Sequence, residues 1–185
     1  NSYRCLLVDT FIAVEFMLGV NALPRYAMPI TLNDLTVNFQ HLNRESLMDS
    51  WRWLVGSTKQ VILLTAVGDA FLQDSQDGTI HFLDTIAGEV QSIAESYDDL
   101  LSLLNDKNFV VNYFAVELFA DLQQPQTLLT GQIYSYKQPP VLGGQIALDN
   151  IEPTDIDVHF TLLGQIHQQV KGLPDGTSIG KVTIQ

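Results

Sequence analysis

The side chains best suited to chemistry are four histidines, His41, His81, His159 and His167, and a single cysteine, Cys5. His159 and His167 fall in a stretch with helical periodicity, where a spacing of eight residues corresponds to about 12 Å of rise. One metal ion cannot bridge that distance, and neither HExxH nor His-x-His occurs. No metal is expected, and each histidine reads as a partly buried or surface residue. Nucleophilic catalysis has no better basis. There is no Gly-x-Ser-x-Gly elbow, and Cys5 stands at the N-terminal edge of the sequence. Val55-Gly56-Ser57-Thr58-Lys59 partly resembles a phosphate loop, but it lacks the first glycine and precedes a β-type run instead of a helix. Asp74-Ser75-Gln76-Asp77-Gly78 lacks the alternating oxygen ligands and closing glutamate of a calcium loop, and reads as a hairpin turn. Gly131 and Gly143-Gly144 make no dinucleotide fingerprint. The expectation is a protein without catalytic residues, metal or cofactor, whose work is binding.

Carboxylates are the remaining reactive groups, and they are unevenly distributed. The 185 residues carry 21 acidic and 9 basic side chains, a net charge of −12. Residues 1–59 hold five of each sign, which cancel. Residues 60–136 hold eleven acids against one base, Lys107, so −10 of the −12 falls in the middle of the chain. Such a field opposes binding to phosphate backbones, so no nucleic acid is expected as a partner. It equally suits an ordinary solvated face or a surface that attracts a basic protein. The longest apolar stretch, Cys5 to Leu18, is interrupted by Asp9, Thr10 and Glu15 and is too short to span a membrane. With one cysteine no internal disulfide can form, and a cytoplasmic location is expected.

The elements that must position these groups follow from periodicity and turn residues. A helix is predicted from residue 9 or 10 to Leu18, followed by an irregular stretch bracketed by Pro24 and Pro29. A second helix begins after the N-cap Asn43, with Leu47, Met48, Trp51, Leu54 and Val55 on its apolar face and Trp53 at the border. Past Gly56-Ser57 the pattern becomes β-type. A strand over Val61–Val67 is followed by a hairpin of residues 70–74 and 79–84 around Asp77-Gly78, then a short strand at Glu89–Ile93 after Gly88. Ser96 caps a helix with Asp98 and Asp99 in its first turn. Phe109 to Leu122 is predicted as one mostly buried helix, ended by Gln123-Gln124-Pro125. A strand holds Ile133, Tyr134 and Tyr136. A last helix opens at Pro153-Thr154-Asp155, with a stripe of Val158, Leu162, Ile166 and Val170, and stops at Lys171-Gly172. The class is α+β: an antiparallel sheet, with its hairpin at about 61–93, flanked by helices in one compact domain with a small N-terminal module.

Several of these residues together resemble a known family. The run Trp51-Arg-Trp-Leu-Val-Gly56, then Leu64-Thr-Ala-Val-Gly-Asp-Ala-Phe-Leu72, Asp77-Gly78 and Leu83-Asp84-Thr85 is similar to a bacterial domain of unknown function. So are Gly131-Gln-Ile-Tyr-Ser-Tyr-Lys-Gln-Pro-Pro-Val-Leu-Gly-Gly144, Asn150-Ile-Glu-Pro153 and Gly164-Gln-Ile-His167. That domain resembles the C-terminal part of the type VI secretion DNase immunity proteins, the Tdi family, whose N-terminal part is GAD-like. The resemblance implies a GAD-like part over residues 1–42 and an immunity domain over 43–185. It also implies a cytoplasmic, non-enzymatic protein that neutralises a cognate secreted toxin. A nuclease toxin must present a basic groove to hold phosphates, which an acidic face could fill. Asp74, Asp77 and Asp84 around the hairpin, with Asp98 and Asp99 close in sequence, are the expected partner contacts. Two alternatives stand beside this. A regulatory or scaffold module would show an apolar groove, including Trp53 or Tyr134. An enzyme without a recognisable motif would show a pocket with His159 or His167 beside a carboxylate.

Overall fold

The computed structural model describes residues 30–123, 126–174, 176–177 and 179–184. The helix expected before Gly19, the stretch between Pro24 and Pro29, Cys5 and most of the expected 1–42 module lie outside the described residues.

Asn43 caps the first helix as expected, its side-chain oxygen accepting from the Glu45 N–H at 3.0 Å. The single helix expected from there to Val55 is instead three short pieces. They are α1 (Arg44–Leu47), a 3-10 turn (Asp49–Trp51) and α2 (Arg52–Val55). Leu47, Met48, Trp51 and Val55 all face inward, as the expected apolar stripe requires, so the break changes the local hydrogen bonding and not the buried face.

The chain then forms an antiparallel meander of β1 (Lys59–Leu64), β2 (Ala70–Asp74), β3 (Ile80–Asp84) and β4 (Glu89–Ala94), in that spatial order. β1 ends three residues before the expected Val67. Thr65 accepts the Asp69 N–H on its hydroxyl at 2.9 Å and donates its own N–H to the Asp69 carbonyl, closing a turn. A strap over Leu35–Val37 lies along the outer edge of β1, with Val37 N–H on Leu64 O at 3.1 Å and Ala66 N–H on Leu35 O at 2.8 Å. Three helices follow: α3 (Tyr97–Leu103), α4 (Lys107–Tyr113) and α5 (Val116–Gln123). The one helix expected over Phe109–Leu122 is broken at Phe114-Ala115, where Ala115 has a φ of +45°. The break lets Phe114, Val116 and Phe119 all enter the core.

Finally β5 (Gln132–Tyr136) pairs antiparallel with β6 (Ile151–Asp155), and α6 (Ile156–Val170) follows directly. β6 was not anticipated. Pro153 and Thr154, expected to open a helix, sit opposite Tyr134 and Ile133 in this ladder. Proline is tolerated there because β6 is an edge strand.

Both faces of β2 and most of β3 are buried, in keeping with their apolar runs. On one face Phe71 and Phe82 meet Tyr113 and Phe114, with ring centroids 4.9–5.2 Å apart. On the other, Ala70, Leu72 and Leu83 pack with Trp51, Phe160 and Leu163. The chain is thus an α+β fold, an antiparallel sheet between helices.

Trp51 is fully buried, yet its Nε1–H has no hydrogen-bond partner among the described residues. Trp51→Phe therefore deletes no bond and is expected to cost only about 1–2 kcal/mol. Trp51→Ala, which leaves a cavity, is expected to cost about 4 kcal/mol. Urea unfolding of the two variants measures the difference, and an equal loss in both would contradict the assignment.

Candidate functional site

The expected contact residues divide between the two ends of the sheet. Asp74 and Asp77 belong to the β2–β3 turn. Ile80 lies opposite Ala94, so the end of β4 and the first turn of α3, with Asp98 and Asp99, adjoin that same end. Asp84 lies opposite Glu89 at the other end of β3, about 13 Å away along the strand.

Their surroundings differ as well. Asp74 is buried, and accepts from the Thr58 hydroxyl at 2.8 Å, the Gln76 N–H at 2.9 Å and the Lys59 ammonium at 3.2 Å. The Gln76 N–H, then Thr58 and then Lys59, hold its carboxyl below the usual range. Asp77 is exposed and accepts from the hydroxyl and N–H of Thr79 at 2.7 and 2.9 Å, which lower its carboxyl too. Asp84 takes the N–H groups of Ile86 and Ala87 at 2.9 and 2.8 Å and so shapes the β3–β4 turn. Asp98 and Asp99 are exposed, and Asp99 forms a reciprocal capping pair with Ser96. Asp77, Asp98 and Asp99 are thus the charges at one end that face solvent, whereas Asp74 is largely neutralised by Lys59.

The residues with the most perturbed chemistry are elsewhere, on α6. The buried stripe of this helix is Ile156, His159, Phe160, Leu163, Gly164, Ile166 and His167. It replaces the expected stripe of Val158, Leu162, Ile166 and Val170, and Val158 is 42% exposed. In the structure both histidines are core residues with backbone and hydroxyl partners. His159 accepts from the Ser135 hydroxyl on Nδ1 at 2.8 Å and donates from Nε2 to Gly68 O at 3.0 Å, with Thr85 Oγ1 at 3.2 Å. His167 Nε2 donates to Thr85 O at 3.1 Å, and its ring lies 5.5 Å from that of Trp51. Thr85 is therefore gripped by two histidines about two turns apart on α6. Gly68 has a φ of +96°, and a Cβ there would lie 2.6 Å from the His159 ring, so the loop must carry glycine at this point.

Beyond Thr85 the network ends on Asp69. Its Oδ1 accepts the Thr85 N–H at 3.0 Å and lies 3.3 Å from the Thr85 hydroxyl. The Thr85 hydroxyl donates to Gly68 O at 3.0 Å and, at the longer 3.3 Å, towards Asp69. Burial first and the Asp84 carboxylate second push Asp69 up to about 7, against the two Thr85 hydrogen bonds, which favour the carboxylate. Burial pulls His159 down to about 4 and lowers His167. An acid, a hydroxyl and a histidine in sequence resemble a catalytic relay by residue type. Here His159 is 1% exposed with both ring nitrogens engaged, so no substrate atom can reach it. The arrangement ties two loops and strand β5 to one helix.

Among the described residues, no group of three or more histidine, cysteine, aspartate or glutamate side chains could hold a metal ion, and no helix is long and apolar enough to cross a membrane. A cleft of about 500 Å³ lies elsewhere, lined by Val37, Phe119, Leu128, Leu129 and Tyr134 among others.

Fold and site together define an α+β domain whose buried polar groups fasten loops to a helix, with acidic side chains left at the ends of its sheet. Residues 94–167 match the family described as T6SS immunity protein Tdi1, C-terminal, which bears out the resemblance over the segment from the end of β4 to His167. The match does not extend to the GAD-like part. No curated protein matches the chain. The crystal structure of Atu4351 from Agrobacterium tumefaciens is similar in fold, with a TM-score of 0.50 and 20% identity over 67% of this chain and 65% of that one. The chain thus spans just under two thirds of that relative's length.

Proposed function

We propose that the chain is a non-enzymatic immunity protein that binds a cognate secreted toxin directly, in the cytoplasm, and blocks it. The observation that carries this reading is the match of residues 94–167 to the T6SS immunity family. The toxin is of nuclease type, and an acidic surface occupies its phosphate-binding groove. The excess of ten negative charges in residues 60–136 supports this part. Asp77, Asp98 and Asp99 supply the main charge contacts at one end of the sheet. Asp74 adds to the local field beside them, and Asp84 makes a separate contact at the opposite end.

Co-expression with the toxin-like product of the adjacent gene tests both parts. The chain is expected to restore growth and to bind with an affinity that falls as salt rises. Asp77→Lys with Asp98→Lys should weaken binding about tenfold or more. Tight binding that ignores both salt and charge reversal would remove the electrostatic part, and failure to bind would remove the immunity reading. A regulatory protein-binding module is the second reading, favoured by the cleft beside Tyr134 and the 70%-exposed Leu129. In that case Leu129→Asp, and not the aspartate reversals, abolishes binding.

A further inference from the structure

We infer that the open edge of β4 is a docking edge for an extended, lysine- or arginine-bearing strand of the partner protein. This deepens the binding role proposed above and rests on it only for the partner's identity. The two edges of the sheet are treated differently by the chain. The end of β1 is covered by the strap over residues 35–37, through backbone hydrogen bonds at Leu64 and Ala66 and a bridge between Thr36 and Thr65. β4 pairs with β3 alone, and among the described residues no strand meets the backbone groups on its other side. Glu89, Gln91 and Ser92 are exposed along it. Such an edge is a template for a further strand; β4 contains neither lysine nor proline, and its one bulge, at Ile93, leaves the ladder over residues 89–92 regular.

Charge selects the occupant. Asp84 and Glu89 stand at one end of the strand, and Glu95, Asp98 and Asp99 at the other, all from a stretch without lysine or arginine between Lys59 and Lys107. Lys59 is on the far edge of the sheet and already paired with Asp74. A second copy of this chain, added antiparallel at β4, would set Glu89 of each copy near Glu95 of the other, and like charges across a ladder repel. The edge therefore rejects its own kind and admits a cationic strand, whose backbone supplies affinity while its basic side chains supply selection.

The test needs no toxin. A short peptide of alternating lysine and valine is added to the full chain while amide hydrogen exchange is followed. Exchange across Glu89–Ala94 is expected to slow about tenfold or more at saturation, and a matching glutamate–valine peptide is expected to leave it unchanged. The double variant Glu89→Lys, Glu95→Lys should bind the basic peptide about tenfold more weakly. Both positions are exposed, so folding is preserved. Binding that leaves β4 exchange unaltered, equal response to both peptides, or no binding would each overturn the inference. Those results leave the immunity reading intact. A toxin that fails to bind would end that reading without changing the peptide result.

Discussion

Gly164→Ala is expected to destabilise the protein by roughly 2–4 kcal/mol, although alanine is the better helix former by about 1 kcal/mol. Gly164 lies in the middle of α6, where that helix passes over the 3-10 turn at Asp49–Trp51. A Cβ added there would lie 2.5 Å from Ser50 O and 2.7 Å from Ser50 C and Cβ. Two of those three atoms are backbone and cannot rotate aside. The Trp53 Nε1–H donates to Gly164 O at 3.2 Å, so the same contact also orients the second tryptophan. Relief by lifting α6 would draw His159 and His167 away from Thr85, which spreads the cost to the buried network. Chemical denaturation of the variant measures the loss. A midpoint equal to or above that of the parent would show that helix propensity outweighs the close approach.

The second large effect concerns pH. His159 is pulled down to about 4 in the folded protein, so between 6.5 and about 4 the unfolded chain holds the extra proton. Its contribution is fully present above 6.5 and is lost as pH falls, by about 1.4 kcal/mol per pH unit. Asp69 works in the opposite direction. Its folded value is raised from 3.8 to about 7, so the folded protein holds the extra proton, and stability falls as pH rises through that interval. From about pH 4 to 6.5 the two contributions oppose one another and stability should be nearly flat. Asp69→Asn keeps the Oδ1 acceptor for the Thr85 N–H and removes the titration. The variant should therefore lose stability as pH falls from 6.5, by roughly 3 kcal/mol at pH 4, and gain on the parent as pH rises from about 4 to 7, with a constant difference above that. His159→Gln should instead lose stability as pH rises from 4 to 7. Urea titrations across this range decide it, and parallel pH profiles for all three proteins would refute the pairing.

What the sequence revealed and what it hid have separate physical causes. The β2–β3 hairpin, its Asp-Gly turn, the Ser96 cap and the burial of Trp51 rest on local backbone preference and simple alternation, and all appear as expected. The helix over Phe109–Leu122 was read as continuous because nothing in its composition marks Ala115 as a left-handed residue, and core packing imposes the break. β6 was hidden by Pro153, which reads as a helix opener until its edge position is known. The candidate site was legible only in part. The acidic residues stand out by count, but the separation of Asp84 from Asp74 and Asp77 depends on strand register. His159 and His167 were visible as a pair on one helix. Their burial depends on partners far away in sequence, Gly68, Thr85 and Ser135, which no local pattern connects. One signal was available: with both histidines counted as inward, Ile156, Phe160, Leu163 and His167 keep helical spacing, whereas the Val158 stripe includes no aromatic residue.

Thr85 has lost the freedom that a turn residue ordinarily keeps. Its hydroxyl meets His159 and its carbonyl meets His167, both on α6, so the β3–β4 turn cannot flap without detaching that helix. Turn, helix and the start of β4 then form one cooperative opening unit. A strand arriving at β4 would find that end of the edge already ordered. Little conformational entropy would be left for the protein to lose on association, and the partner's own segment would carry most of the ordering cost.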